Sequence, residues 1–155
     1  MLVHLAALLI GAVAGLRTMM APAAVCWAAW LGWIDLEGSW LAFLGYRYSP
    51  WILTVLALGE LVADKLPSTP SRKVPLQFGG RIVSGALCGA AFGVGLGAGA
   101  VGGAFAGAVG AVAGTLAGAA ARARLAAAFG RDRPAALIED AVAILGAAII
   151  VGSLS

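Results

Sequence analysis

Charge is what this sequence has least of. Asp, Glu, Lys and Arg make up 11% of its 155 residues, where soluble domains carry about a quarter. That shortage excludes a water-facing globular domain. Two cysteines and one histidine exclude a disulfide framework and leave no paired-histidine metal site. Cys26 and Cys88 sit in apolar stretches that read as opposite halves of a bilayer, so they are expected to pack as small hydrophobes. No glycine loop ends in Lys-Ser/Thr, and there is no nucleophile elbow and no aspartate cluster for phosphotransfer. Neither catalysis nor a cofactor or metal is called for. The ten Lys and Arg are too few and too clustered for a surface that tracks nucleic acid.

What the chain has instead is apolar length. Hydrophobic residues make up 62% and mean hydropathy is +1.00, the composition of an integral membrane protein. Between Arg81 and Arg122 about forty positions carry no charge. As one helix they would run ~60 Å, twice a hydrocarbon core, so they must fold back as two spans. The turn is expected near Gly97-Ala98-Gly99 or Gly102-Gly103. Gly85, Gly89, Gly93 and Gly97 recur every four residues, followed by Gly103 and Gly107 and then Gly110, Gly114 and Gly118. Residues four apart share a helix face, so these strips let another backbone approach closely. They could join spans within one chain or between chains as a homo-oligomer.

The first apolar stretch, 2–31, exceeds one straight crossing and is expected to be a tilted or broken span. Pro22 supplies the break and frees the carbonyl of Thr18. A cleaved leader is not expected, because no basic segment precedes the apolar run and Val25 spoils a lipoprotein site at Cys26. Trp27, Trp30, Trp33, Trp40, Tyr46, Tyr48 and Trp51 then crowd one membrane interface, with a short interfacial helix within 35–48. Ser49-Pro50 opens a second span (50–66). Spans at 81–98, 101–121 and 135–152 complete a single all-α domain over 1–155, a polytopic bundle of five spans with a glycine-zipper hairpin. Lys65, Arg72, Lys73, Arg81, Arg122, Arg124, Arg131 and Arg133 gather in or beside two loops. Basic loops stay in the cytoplasm, which predicts a cytoplasmic N-terminus and a periplasmic or extracellular C-terminus. Gly-Ala-Val-Ala-Gly occurs at Gly11–Gly15 and again at Gly110–Gly114. The two copies would suit an inverted repeat, although 23 glycines make a chance match the better explanation.

Five charges lie within the spans. Arg17 needs a partner or a wet cavity, since an intramembrane guanidinium costs several kcal/mol. Glu60 and Asp64 share a helix face, and Glu139 and Asp140 enter from the same side of the membrane. Arg17, Thr18, Glu60, Asp64, Glu139 and Asp140 are therefore the candidate site for a small polar or anionic ligand, an ion or a proton, with Glu60 the expected partner of Arg17. A salt-bridge cluster that only fixes helix packing accounts for the same residues equally well. Gly11 and Gly15 are candidate packing positions in the first span. Arg72, Lys73 and Arg81 could hold a lipid headgroup.

Gly15-Leu16-Arg17, Ser49-Pro50-Trp51, the run Glu60-Leu61-Val62-Ala63-Asp64-Lys65-Leu66-Pro67 and Arg81-Ile82-Val83-Ser84-Gly85-Ala86 together resemble a family of small bacterial membrane proteins catalogued only as a domain of unknown function. The resemblance implies a helical protein of a bacterial inner membrane and says nothing of substrate. A small transporter, channel-like protein or transport accessory is the first functional expectation. A structural or lipid-binding scaffold is the second.

Overall fold

A computed structural model describes residues 1–66 and 74–155. Arg72 and Lys73, the weaker headgroup candidates, lie outside the described residues. Six α-helices account for about three quarters of these residues: α1 (Leu2–Leu16), α2 (Met20–Trp30), α3 (Ser49–Ala63), α4 (Pro75–Gly95), α5 (Ala100–Phe129) and α6 (Asp132–Gly152). One 3-10 turn, Ala42–Gly45, lies within the aromatic segment. Among the described residues there is no strand. α4, α5 and α6 are long and apolar enough to cross a membrane, and α1, α2 and α3 are shorter apolar helices.

α5 is the axis of the bundle, and its glycines explain why. Gly85 of α4 lies against Gly107, Gly89 against Gly103, and Gly93 against Gly99. On the other flank Gly11 of α1 lies against Gly107, and Gly15 against Ala111 and Gly114. At Gly11, Gly15, Gly85, Gly89, Gly93, Gly103 and Gly107 a Cβ would overlap backbone of the neighbouring segment. The strips are thus consumed inside one chain. Gly97 is the exception: with φ +75° it belongs to the turn between α4 and α5, as does Gly99 at φ +88°, and nothing faces it. Left-handed backbone of this kind favours glycine, so the first of the two expected turn positions is the one used.

The register of these contacts sets the helix directions. α1 and α5 rise together, because Gly11 meets Gly107 while Gly15 meets Ala111 and Gly114. α4 runs against α5. The two Gly-Ala-Val-Ala-Gly copies therefore run the same way and pack on each other, with Gly110 on Leu8 and Gly114 on Ala12. They are not the halves of an inverted repeat. α2 runs with α4: the Thr18 carbonyl accepts from Ser84 Oγ at 2.6 Å, and Ile34 reaches Gly95 at the far end. Those two anchor points also bring Cys26 level with Cys88. Both are free and buried in the apolar core, not in opposite halves of the bundle.

α2 is consequently antiparallel to α1, and the chain reverses over Arg17–Met19. This corrects the single broken span over 2–31. Pro22 is not the break. It occupies the first turn of α2, where a missing N–H costs nothing. The reversal places the N-terminus, the aromatic segment, the α4–α5 turn and the end of α6 at one end of the bundle. Lys65, Pro75 and the α5–α6 connection at Gly130 lie at the other. Met1 and the basic connection are therefore at opposite ends.

α3 is the least embedded helix. Only Pro50 and Ala57 are buried along it. It leans on α2 through Trp27, whose Nε1 donates to Thr54 Oγ1 at 2.9 Å and whose ring meets Trp51 edge-on at 5.0 Å. Its other end is tied down by charge.

Candidate functional site

The site grows from the three-residue reversal. Arg17 is extended (φ −141°, ψ 115°), which stops α1. A helix end leaves carbonyls without partners, and the next helix start leaves N–H groups without them. Each set is met by a side chain of the right sign. Arg81 Nη1 donates to the carbonyls of Gly15 and Leu16, both at 2.8 Å. Glu60 accepts from the backbone N–H of Thr18 at 2.7 Å and of Met19 at 2.8 Å. A cation at a helix C-terminus and an anion at an N-terminus also complement the dipoles, worth up to ~2 kcal/mol each in partly buried geometry. Thr115 Oγ1 adds a bond to the Gly15 carbonyl at 3.2 Å. The Thr18 carbonyl, expected to be freed, is met by Ser84.

These contacts revise two expectations. Arg81 is 3% exposed and tied to backbone, so it is not placed to hold a lipid headgroup. Glu60 is not the partner of Arg17, because its two oxygens serve the start of α2. Its contribution is testable. Glu60→Ala strands two partly buried donors and should cost about 2–6 kcal/mol at ~1–3 kcal/mol per group, read as a loss of thermal stability in detergent. Glu60→Gln keeps one acceptor oxygen and should recover part of that loss.

Arg17 itself is fully buried and turns into the bundle between α3 and α6. Nε donates to Asp140 Oδ1 at 2.7 Å, and Nη2 donates to the same oxygen. Nη1 donates to Asp64 Oδ2 at 2.5 Å. Glu139 Oε2 stands 3.7 Å from Nη2. One guanidinium thus joins the hairpin tip to the end of α3 and to the third turn of α6. A planar fork suits this work, since its donors reach two carboxylates at once.

The pairing continues outward. Arg122 of α5 donates to Asp64 at 2.8 Å and Glu139 at 3.4 Å, and grips Asp132 with Nε at 2.9 Å and Nη2 at 2.6 Å. Lys65 pairs with Asp140 Oδ2 and donates to the carbonyl of Leu61 at 2.9 Å. The ladder runs from a buried arginine to an exposed aspartate at the basic end. Asp140 lies eight residues inside α6 and Arg81 six inside α4, so the hairpin tip sits ~9–12 Å within that end.

Of the six candidate residues, Arg17, Asp64, Glu139 and Asp140 meet directly. Glu60 and Thr18 meet one turn away, through the Thr18 backbone and not its hydroxyl. Sequence reasoning missed Ser84, Lys65, Arg122 and Thr115, and gave Arg81 a different role. Arg81 and Ser84 are three apart and share a helix face, which was the available sign for that pair. Among the described residues no group of His, Cys, Asp and Glu could hold a metal ion. No protein-family model, curated protein or solved structure matches the chain, so the resemblance noted above rests on the residues quoted for it.

Proposed function

We propose that this chain is a small multi-pass protein of a bacterial inner membrane that takes up or passes a polar solute at the Arg17 cluster. The observation that carries the proposal is a fully buried guanidinium at a helix break, shared between carboxylates of two other helices. Discontinuous helices with fixed charge at the break are the usual way a membrane protein builds a polar site, because freed backbone and charge sit together away from lipid. The ladder from Arg17 through Asp64 to Arg122 and Asp132 provides a route of exchangeable ion pairs from that site to one face. A solute reaching the cluster would compete with carboxylates for Arg17, or with Arg17 for carboxylates, and so loosen α3 from α6.

In this reading α3 to α6 cross the bilayer, and α1–α2 enters as a hairpin from the aromatic side. The basic end is cytoplasmic by the distribution of Lys and Arg. Both termini are then on the non-cytoplasmic side, which replaces the five-span arrangement with its cytoplasmic N-terminus. Accessibility tags at Met1 and Ser155 should report the same side, and a tag at Gly130 the other. A tag at Met1 that reports with Gly130 would refute the hairpin.

A scaffold without transport is the second reading, favoured by the saturation of the cluster, where each charge named above has a partner. The glycine strips give it little support as an assembly surface, since they face helices of the same chain. Liposomes separate the two readings. Purified protein should dissipate the gradient of at least one ion or small polar solute from a panel, and Arg17→Lys, which keeps the charge and loses the fork, should slow that flux at least tenfold while folding. No flux from wild type under any gradient would leave the scaffold.

A further inference from the structure

Between α2, α3 and α6 lies a groove of about 470 Å³ that opens sideways from the bundle. Its walls are apolar. Between its ends the side-chain polar atoms, Trp27 Nε1 and Thr54 Oγ1, are bonded to each other, and Thr54 also donates to the Pro50 carbonyl at 2.6 Å. The indole of Trp33 lines the groove at its aromatic end, so a polar occupant would find no free side-chain partner along the middle of the groove. Along α2 the groove extends from Met20 to Leu31, and along α6 from Ile144 to Gly152. At 1.5 Å per residue these are ~12–17 Å, the reach of about ten methylenes.

The groove ends at the charged cluster. Leu61 on its wall lies between Glu60 and Asp64, and its carbonyl accepts from Lys65 Nζ. Ile144 is one turn from Asp140 on the same face of α6. The Lys65–Asp140 pair therefore bridges α3 and α6 where the apolar walls stop. Lys65 is also the most open member there, with a side chain 30% exposed against 9% for Asp140 and 15% for Asp64. The acids behind it face Arg17, Arg122 or the α2 N-terminus.

From this continuity we propose that the groove binds a single-chain amphiphile with an anionic head, its acyl chain along α2 and α6 and its head on Lys65. The proposal rests on the solute-site reading above and names the class of solute. It makes the Lys65–Asp140 pair the contact that an incoming head must displace, so binding and release of α3 from α6 are one event.

The test uses Trp27 and Trp33, which line the groove, as reporters. Detergent-solubilised protein is titrated with dibrominated stearic acid and, separately, with the corresponding dibrominated alcohol. Wild type should show saturable tryptophan quenching by the acid at one site, with the alcohol at least tenfold weaker. Ala148→Phe, which fills the groove from an exposed position of α6, should weaken the acid at least tenfold. Lys65→Gln should bring acid and alcohol together. Should Ala148→Phe fail to fold, Ala24→Leu blocks the same groove from α2. The proposal is overturned if a folded groove-filling variant titrates like wild type, or if acid and alcohol bind wild type equally. Solute flux that Arg17→Lys abolishes, together with absent acid binding, would overturn this inference alone. Acid binding without flux would uphold it and remove transport.

Discussion

Arg17→Ala should destabilise the folded protein by about 3–5 kcal/mol, the usual cost of removing one partner from a buried ion pair. The loss has a specific composition. Asp140 and Asp64 would keep their charge behind the hairpin tip, with Lys65 and Arg122 as remaining partners. α3 would also lose one of its ties to the hairpin, keeping the two backbone bonds of Glu60. Adding Asp140→Asn should therefore restore part of the stability, because it removes the carboxylate that Arg17 engages through two nitrogens. Asp64→Asn should restore less, since Asp64 retains Arg122 at 2.8 Å. Glu60→Gln should restore nothing, as Glu60 bonds backbone and not Arg17. Thermal or denaturant unfolding of the singles and doubles in detergent gives the coupling energies directly. Equal rescue by Glu60→Gln and Asp140→Asn would mean the pairing assigned here is wrong.

The second large effect falls on α5. Gly107 is pressed from both sides, with its own added Cβ meeting the Gly85 carbonyl and the Gly89 Cα, and a Cβ added at Gly11 meeting Gly107 backbone. Overpacking a core costs about 1–3 kcal/mol when side chains can yield. Here the obstacles are backbone on both sides, so Gly107→Ala should reach or exceed the top of that range and Gly107→Leu should prevent folding. Gly59, on the open face of α3, has nothing within 4 Å. Gly59→Ala should stabilise by about 0.5–1 kcal/mol through helix propensity alone. Opposite signs for one chemical change at two helical glycines would be read as a spread of melting temperatures. A tolerated Gly107→Ala would mean that α4 and α5 are not in backbone contact.

Much of this arrangement is written locally. The uncharged run, the glycine spacing and the basic connections foretell α4, α5, α6 and the turn at Gly97–Gly99, because each depends on residues within a few turns of one another. α5 runs two turns past its expected end, to Phe129, since alanine-rich sequence beyond Arg122 favours helix whether or not lipid surrounds it. The convergence of Arg17 with Asp64, Glu139 and Asp140 also follows from placing every intramembrane charge on one side.

The reversal at Arg17–Met19 is different. Arg-Thr-Met carries none of the glycine, asparagine or proline that usually marks a turn, and the nearby proline points to the wrong residue. The turn is stabilised from a distance, by Arg81, Glu60 and Ser84 on helices that come later in the chain. A local signal is absent because the partners are not local. The same error displaced Glu60, whose depth was matched to Arg17 on the assumption that 2–31 is a single crossing.

Cross-linking tests the hairpin most directly. In a background with Cys26 and Cys88 replaced by alanine, His4→Cys with Gly102→Cys joins the start of α1 to the start of α5, where His4 Nε2 lies within 3 Å of a Cβ built on Gly102. Ile34→Cys with Gly95→Cys serves as the control, since those positions share an end of the bundle whichever way α1 runs. If α1 and α2 form the hairpin described here, mild oxidation or a short bifunctional reagent should join both pairs within single chains. A cross-link at 34–95 with none at 4–102 would put the N-terminus at the basic end. α1 and α2 would then be one continuous span, and the site built on their reversal would not exist.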